Sequence, residues 1–181
     1  AVAGDMQQAL FMPLLTRMPK QRVVTQIALL SPDAIPAALF RQQGVPVHDV
    51  PLSRKHFSMR ALQELMNVVR PFRPDIIQAW GHIAQLAALT VRKRCDWQPR
   101  VVWSIAGTAP LGRTPGLIDR IKLKLTARAS SRPDRIVYTS EASALLHRRA
   151  GYPGEDYGVI APGVDGTRFK PDATARHKVR E

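Results

Sequence analysis

The chain holds one cysteine, Cys95, in 181 residues. A single thiol excludes an internal disulfide framework and points to a reducing compartment. Aromatic residues are scarce, at 6%, and they do not interleave with basic ones as in RNA-binding sheets. No apolar run approaches the roughly 20 residues that a membrane-crossing helix needs. The opening stretch, AVAGDMQQAL, lacks the basic start and apolar middle of a signal peptide. It also lacks an initiator Met, so the chain reads as a cut piece of a soluble, cytoplasmic protein. Acidic residues are few: 14 Asp and Glu face 27 Lys and Arg, for a formal net charge of +13. Such a surface favours polyanions, whether nucleic acid, anionic lipid headgroups or phosphorylated small molecules.

Several motifs are also missing. His48, His56, His147 and His177 show no metal-ligand spacing with each other or with Cys95, so no metal and no bound cofactor are expected. There is no nucleophile elbow, Walker loop or GxGxxG fingerprint. A flavodoxin-like cofactor protein would need a phosphate loop that is not found.

What is present is an alternation of apolar runs and helical patterns. Helices are expected over 5–18 (capped by Asp5 and kinked at Pro13), 33–43, 58–70, 82–94, 116–131 and 140–150. Strands are expected over 22–30, 45–52, 75–80, 100–105, 134–139 and 157–161. Gly44 and Gly151 serve as helix stops, and the prolines of VPVHDVPL place that strand near a sheet edge. Strand and helix in turn, with short connections, argue for an α/β fold: a Rossmann-like, doubly wound, mostly parallel sheet. Such a domain opens with a strand, whereas this chain opens with a helix. The first strand therefore reads as missing, and both ends read as cut. A dimer would be one way to repair the sheet edge.

Ligands of open α/β sheets bind beyond the carboxyl ends of the strands. That rule selects Ala3-Gly4-Asp5, Gly81-His82, Ser104 to Thr108, Ser140-Glu141 and Pro162 to Asp165. Gly4 before a helix start lets backbone N–H groups approach a phosphate, or else makes a tight turn. His82 stands where a strand hands over to a helix; bonding to nearby backbone is the plainer role. Ser140-Glu141 reads first as a helix cap. In the helix over 116–131, Leu117, Ile118, Ile121 and Leu125 share one face, while Arg120, Lys122, Lys124 and Arg128 lie largely elsewhere. The usual meaning is a core face and a solvated face. The cations, extended by Arg113, Arg132 and Arg135, raise the case for an anionic membrane surface, ranked above nucleic acid.

PDIIQAWGHIAQLAAL (residues 74–89), RVVWSIAGT (100–108), RPDRIVYTSEAS (132–143) and GVIAPGVDGTRFKPD (158–172) carry a resemblance. In order and spacing they resemble the N-terminal domain of group 1, or family four, retaining glycosyltransferases. That class has GT-B architecture, two Rossmann-like domains facing across a cleft. Its segment "strand, Pro-Asn-Gly-Val-Asp, x-x-x-Phe-x-Pro" corresponds here to Ala161-Pro162-Gly163-Val164-Asp165 with Phe169 and Pro171. Pro162 replaces the amide residue, Ala3-Gly4 replaces a double glycine, and Ser104-Ile105-Ala106 offers no Arg or His. The Glu-x7-Glu element of the class belongs to the second domain, and no glutamate pair here has that spacing.

The resemblance implies residues 1–165 as the acceptor-side domain and 166–181 as linker and start of a donor-binding domain. It implies transfer of a sugar from a nucleotide-sugar to a saccharide or lipid-linked acceptor with retention, without a metal, in polysaccharide or lipopolysaccharide assembly. His82 becomes the catalytic candidate; Gly4, Asp5, Ser104, Gly107, Thr108, Ser140 and Glu141 line the substrate cleft; Gly163, Val164 and Asp165 form a hinge. The basic surface then meets the inner face of a membrane, and the piece alone is expected to be inactive. The competing reading is a stand-alone basic α/β module that binds a membrane surface or nucleic acid and carries a complete sheet of its own.

Overall fold

The computed structural model describes residue 15 and residues 17–30, 37–50, 59–107, 117–164 and 166. Leu15 and Arg17 are helical and Met18 forms a bend; residues 5–14 and 16 of the helix expected over 5–18 lie outside the described residues. The strands are β1 (Ile27–Leu29), β2 (Val47–Asp49), β3 (Ile76–Trp80), β4 (Arg100–Ile105), β5 (Arg135–Tyr138) and β6 (Tyr157–Val159). The helices are α1 (Ala37–Gln42), α2 (Met59–Phe72), α3 (His82–Arg92), α4 (Leu117–Ala129) and α5 (Glu141–Arg149).

Each helix stops for a local reason. At the end of α1 Gly44 takes φ +71, and Gly151 after α5 takes φ +96. Both lie in the left-handed region that a Cβ disfavours, which lets N–H groups fold back onto the last helical carbonyls. Gly44 N–H donates to the Arg41 carbonyl at 2.9 Å and Gly151 N–H to that of Arg148 at 3.0 Å. α2 runs through Pro71 before ending at Phe72, two residues beyond the expected stop.

The strands form two parallel sheets. One is β1–β2, with Ile27 opposite Val47; the other has the order β3-β4-β5-β6. Register sets the faces of the larger sheet, because partners in a parallel ladder point the same way. Ala79, Trp103 and Ile136 share one face, joined by Val101, Ile105 and Tyr138. That face is core, with Trp103, Val101 and Tyr138 fully buried against α3 and its neighbours. On the other face Gln78 is exposed, Ile76 is 58% exposed, and Val102 and Val137 are half-buried. The smaller sheet is covered on both sides: Ile27 and Val47 pack with Leu15 and Phe40, while Ala28, Leu30 and Val50 join the main core with α2.

Among the described residues β1 and β3 share no ladder. Between them lies an apolar slot of ≈ 150 Å³, walled by Ile27, Ala28 and Leu30 on one side and Ile76 and Ile77 on the other. Leu65 and Val69 of α2 and Ala88 of α3 also line it. A doubly wound sheet of order 3-2-1-4-5-6 carries its first strand at this place. The slot lies where that order would set its first strand, between β1 and β3.

Two expectations need correction. The strand expected over 22–30 is three residues long, with Val24 75% exposed. In α4 the apolar row does not make the core face: Leu117, Ile121 and Leu125 are all exposed, and Thr126 and Ala129 are buried instead. Small side chains turned inward let a helix sit close to an alanine-rich neighbour such as α3.

Candidate functional site

The carboxyl ends of β3 to β6 open onto one rim, formed by Gly81, Ala106-Gly107, Thr139 to Glu141 and Ile160 to Val164. Two helices start there. α3 begins after Gly81, whose backbone (φ 80, ψ 154) makes no side-chain cap. α5 begins after Ser140, whose Oγ accepts the Ser143 N–H at 3.1 Å, and carries Glu141 in its first turn. The positive ends of both helix dipoles therefore face the rim, an arrangement suited to a phosphate group.

Ser143 braces the rim. Fully buried, its hydroxyl donates to the Gly107 carbonyl at 2.6 Å, tying the loop after β4 to α5. The Ser143 carbonyl in turn accepts from His147 Nδ1 at 2.8 Å. Burial, partly offset by that bond, holds the His147 pKa below its ordinary value. The ring sits between Tyr138 and Tyr152, with centroids 5.6 and 5.1 Å away. The Tyr138 hydroxyl is buried without a hydrogen-bond partner, and burial drives its pKa upward.

His82 is half-buried and turned into the seam between α3 and α4. Its Nδ1 lies 3.1 Å from Thr126 Oγ1. Thr126 is 0% exposed; its hydroxyl donates to the Lys122 carbonyl at 2.9 Å and, more weakly, to that of Leu123. The same oxygen accepts the Tyr152 hydroxyl at 2.7 Å. One hydroxyl has one proton and two lone pairs. With its proton given to the helix and one lone pair taken by Tyr152, Thr126 accepts from His82. This network favours the tautomer that carries the ring proton on Nδ1.

The structure thus places the sequence-derived candidates unevenly. His82, Gly107, Ser140 and Glu141 are brought to the rim, and Gly163 and Val164 are exposed in the segment that leaves β6. Ser104 is 7% exposed and accepts from Gln78 Nε2 at 2.8 Å, so its hydroxyl is engaged on the sheet surface. Gly4, Asp5, Thr108 and Asp165 lie outside the described residues. Sequence reasoning passed over Thr126, Tyr152, Ser143 and Gln78. The only signal for any of them was that Ser143 stands three residues after the cap, where a polar side chain often serves the helix start. Among the described residues no group of three His, Cys, Asp or Glu is placed to hold a metal ion, and no helix is long and apolar enough to cross a membrane.

Three solved structures of Anabaena Alr3699/HepE resemble the chain. The form in complex with UDP and glucose has a TM-score of 0.72 and 15% identity, covering 99% of this chain and 48% of that one. The UDP-glucose complex gives 0.68 and 16%, covering 95% and 43%; the UDP complex gives 0.71 and 16%, covering 99% and 47%. At this identity the likeness shows the fold: a Rossmann-like α/β domain matching the N-terminal half of a GT-B glycosyltransferase. The chain spans less than half the length of the proteins it matches. Among curated proteins, none matches the chain. The model for Glycosyltransferase Family 4 matches residues 14–168, and the chain belongs to that family.

Proposed function

We propose that this chain is the acceptor-side half of a nucleotide-sugar-dependent glycosyltransferase. The observation that carries the reading is the family match over residues 14–168, on a sheet whose carboxyl rim gathers two helix starts. HepE, of similar fold, was solved with UDP and with UDP-glucose, which supports a nucleotide-sugar as donor. The parent transfers a hexose to a saccharide or lipid-linked acceptor with retention, in cell-surface polysaccharide or lipopolysaccharide assembly on the cytoplasmic side of a membrane. Residues 1–165 form the acceptor-side domain, and 166–181 lead into the donor-binding one. Neither a metal nor a cofactor takes part.

In this reading Gly4 and Asp5 meet the donor diphosphate with Gly107, Thr108, Ser140 and Glu141 at the rim. Gly163, Val164 and Asp165 are the hinge. His82, held by Thr126, accepts a proton from the acceptor hydroxyl or orients it. Ser104 acts through the sheet surface, bonded to Gln78. A stand-alone polyanion-binding module is the lesser reading, since the family match covers residues 14–168.

The test compares the full gene product with the 181-residue chain on UDP- and GDP-sugars. The full product should consume one donor in an acceptor-dependent way, and the shorter chain should be inert. His82→Ala in the full product should lower kcat about a hundredfold, the usual contribution of a positioned acid or base, with donor KM little changed. A full product inert toward every donor, or a shorter chain as active as the full one, would overturn the reading.

A further inference from the structure

We infer that α4 is a docking surface for an anionic bilayer, lying in the plane of the headgroups. Leu117, Ile121 and Leu125 recur every four residues, and so form a row along one side of the helix. They are 74%, 48% and 47% exposed. Arg120, Lys124 and Arg128 follow each of them by three residues and are exposed as well, so a basic row runs beside the apolar one. The helix sequence LIDRIKLKLTARA holds four cations to one acid.

The pairing of rows selects the occupant. A polyanion in water gains nothing from three aliphatic side chains, whereas a headgroup layer takes cations at its surface and aliphatic chains just beneath. The inward side of α4 is already committed through Thr126 and Ala129, and among the described residues the apolar row takes no part in the core. α4 also leads away from the loop after β4, and its Leu117 end lies toward the rim. A membrane on α4 would therefore bring a lipid-borne substrate beside the proposed site. The inference extends the proposed function by naming the surface that meets the acceptor's membrane, although vesicle binding is measured without any sugar donor. Failure of donor turnover thus leaves it standing, and its own failure leaves donor turnover standing.

The test is co-sedimentation of the 181-residue chain with phosphatidylcholine vesicles, with and without phosphatidylglycerol. Binding is expected only when phosphatidylglycerol is present, and should weaken as salt rises. The double variant Arg120→Gln/Lys124→Gln should bind roughly thirtyfold more weakly, at about one kilocalorie per cation. Leu117→Ser should bind about tenfold more weakly, with an unchanged melting temperature because the residue is exposed. Leu117→Trp supplies an independent readout: its emission should shift to the blue and be quenched by bromine-labelled lipid. Equal binding to both vesicle types, no binding, or full binding by Leu117→Ser with no quenching of the Trp variant would overturn the inference. So would tighter binding to duplex DNA than to the anionic vesicles.

Discussion

His147 links the stability of the domain to pH through a single imidazole. The ring is 4% exposed and faces Tyr138 and Tyr152, both neutral across the physiological range. Burial favours its uncharged form and holds its pKa below the ordinary 6.5. The unfolded chain therefore takes up a proton as pH falls through about 6.5, while the folded chain resists until lower pH. This contribution is fully present above the unfolded pKa and is lost as pH falls from there toward the folded one. His147→Asn, which keeps an N–H near the Ser143 carbonyl, should flatten the change in melting temperature between about pH 7 and 5. An unchanged slope would assign that dependence to other groups. None of this was legible from spacing: His147 is one of several histidines without ligand geometry. The partners of His82 and Ser104 lie 44 and 26 residues away, and only the fold brings them close.

Asp134 shows how one side chain at the start of an element joins two others. It accepts from Arg92 Nη1 at 2.8 Å and from the Val101 N–H at 2.7 Å, so it joins α3 and β4 at the foot of β5. Arg92 Nη2 also donates to the Arg132 carbonyl at 2.7 Å. Removing the carboxylate leaves a half-buried guanidinium and a backbone donor without their acceptor. Asp134→Ala should cost about 2 kcal/mol, in the range of charge-assisted bonds, measured as a shift in urea midpoint at constant slope. A loss below a few tenths would mean that water replaces the carboxylate fully.

The elements themselves were well marked in the sequence, because strand and helix periods differ and glycine stops are local. β4 falls on the expected residues, and α3 and α5 lie within two residues of expectation at each end. What failed was orientation and extent. Val23 and Val24 read as strand but stand outside the ladder. The apolar row of α4 was found by its period, yet the period does not say which side meets α3. That choice belongs to Thr126, a polar residue that enters the core because Tyr152 and a helix carbonyl satisfy it.

At the scale of the whole molecule the divided sheet sets how the fold comes apart. Among the described residues β3 to β6 are joined edge to edge by ladders, whereas β1–β2 meets them through side chains around the slot. Backbone ladders and a shared core open together; a unit attached by side-chain packing opens alone at lower cost. Amide hydrogen exchange should find the β1 and β2 amides opening well before those of β4 and β5. Identical protection in both sheets would show that the slot does not divide the molecule. On this expectation β1–β2 is the shallower unit and β3 to β6 the deeper one, although both share the core through Leu30 and Val50. A molecule that filled the slot with a strand would raise the shallower unit toward the deeper one and leave the deeper nearly unchanged.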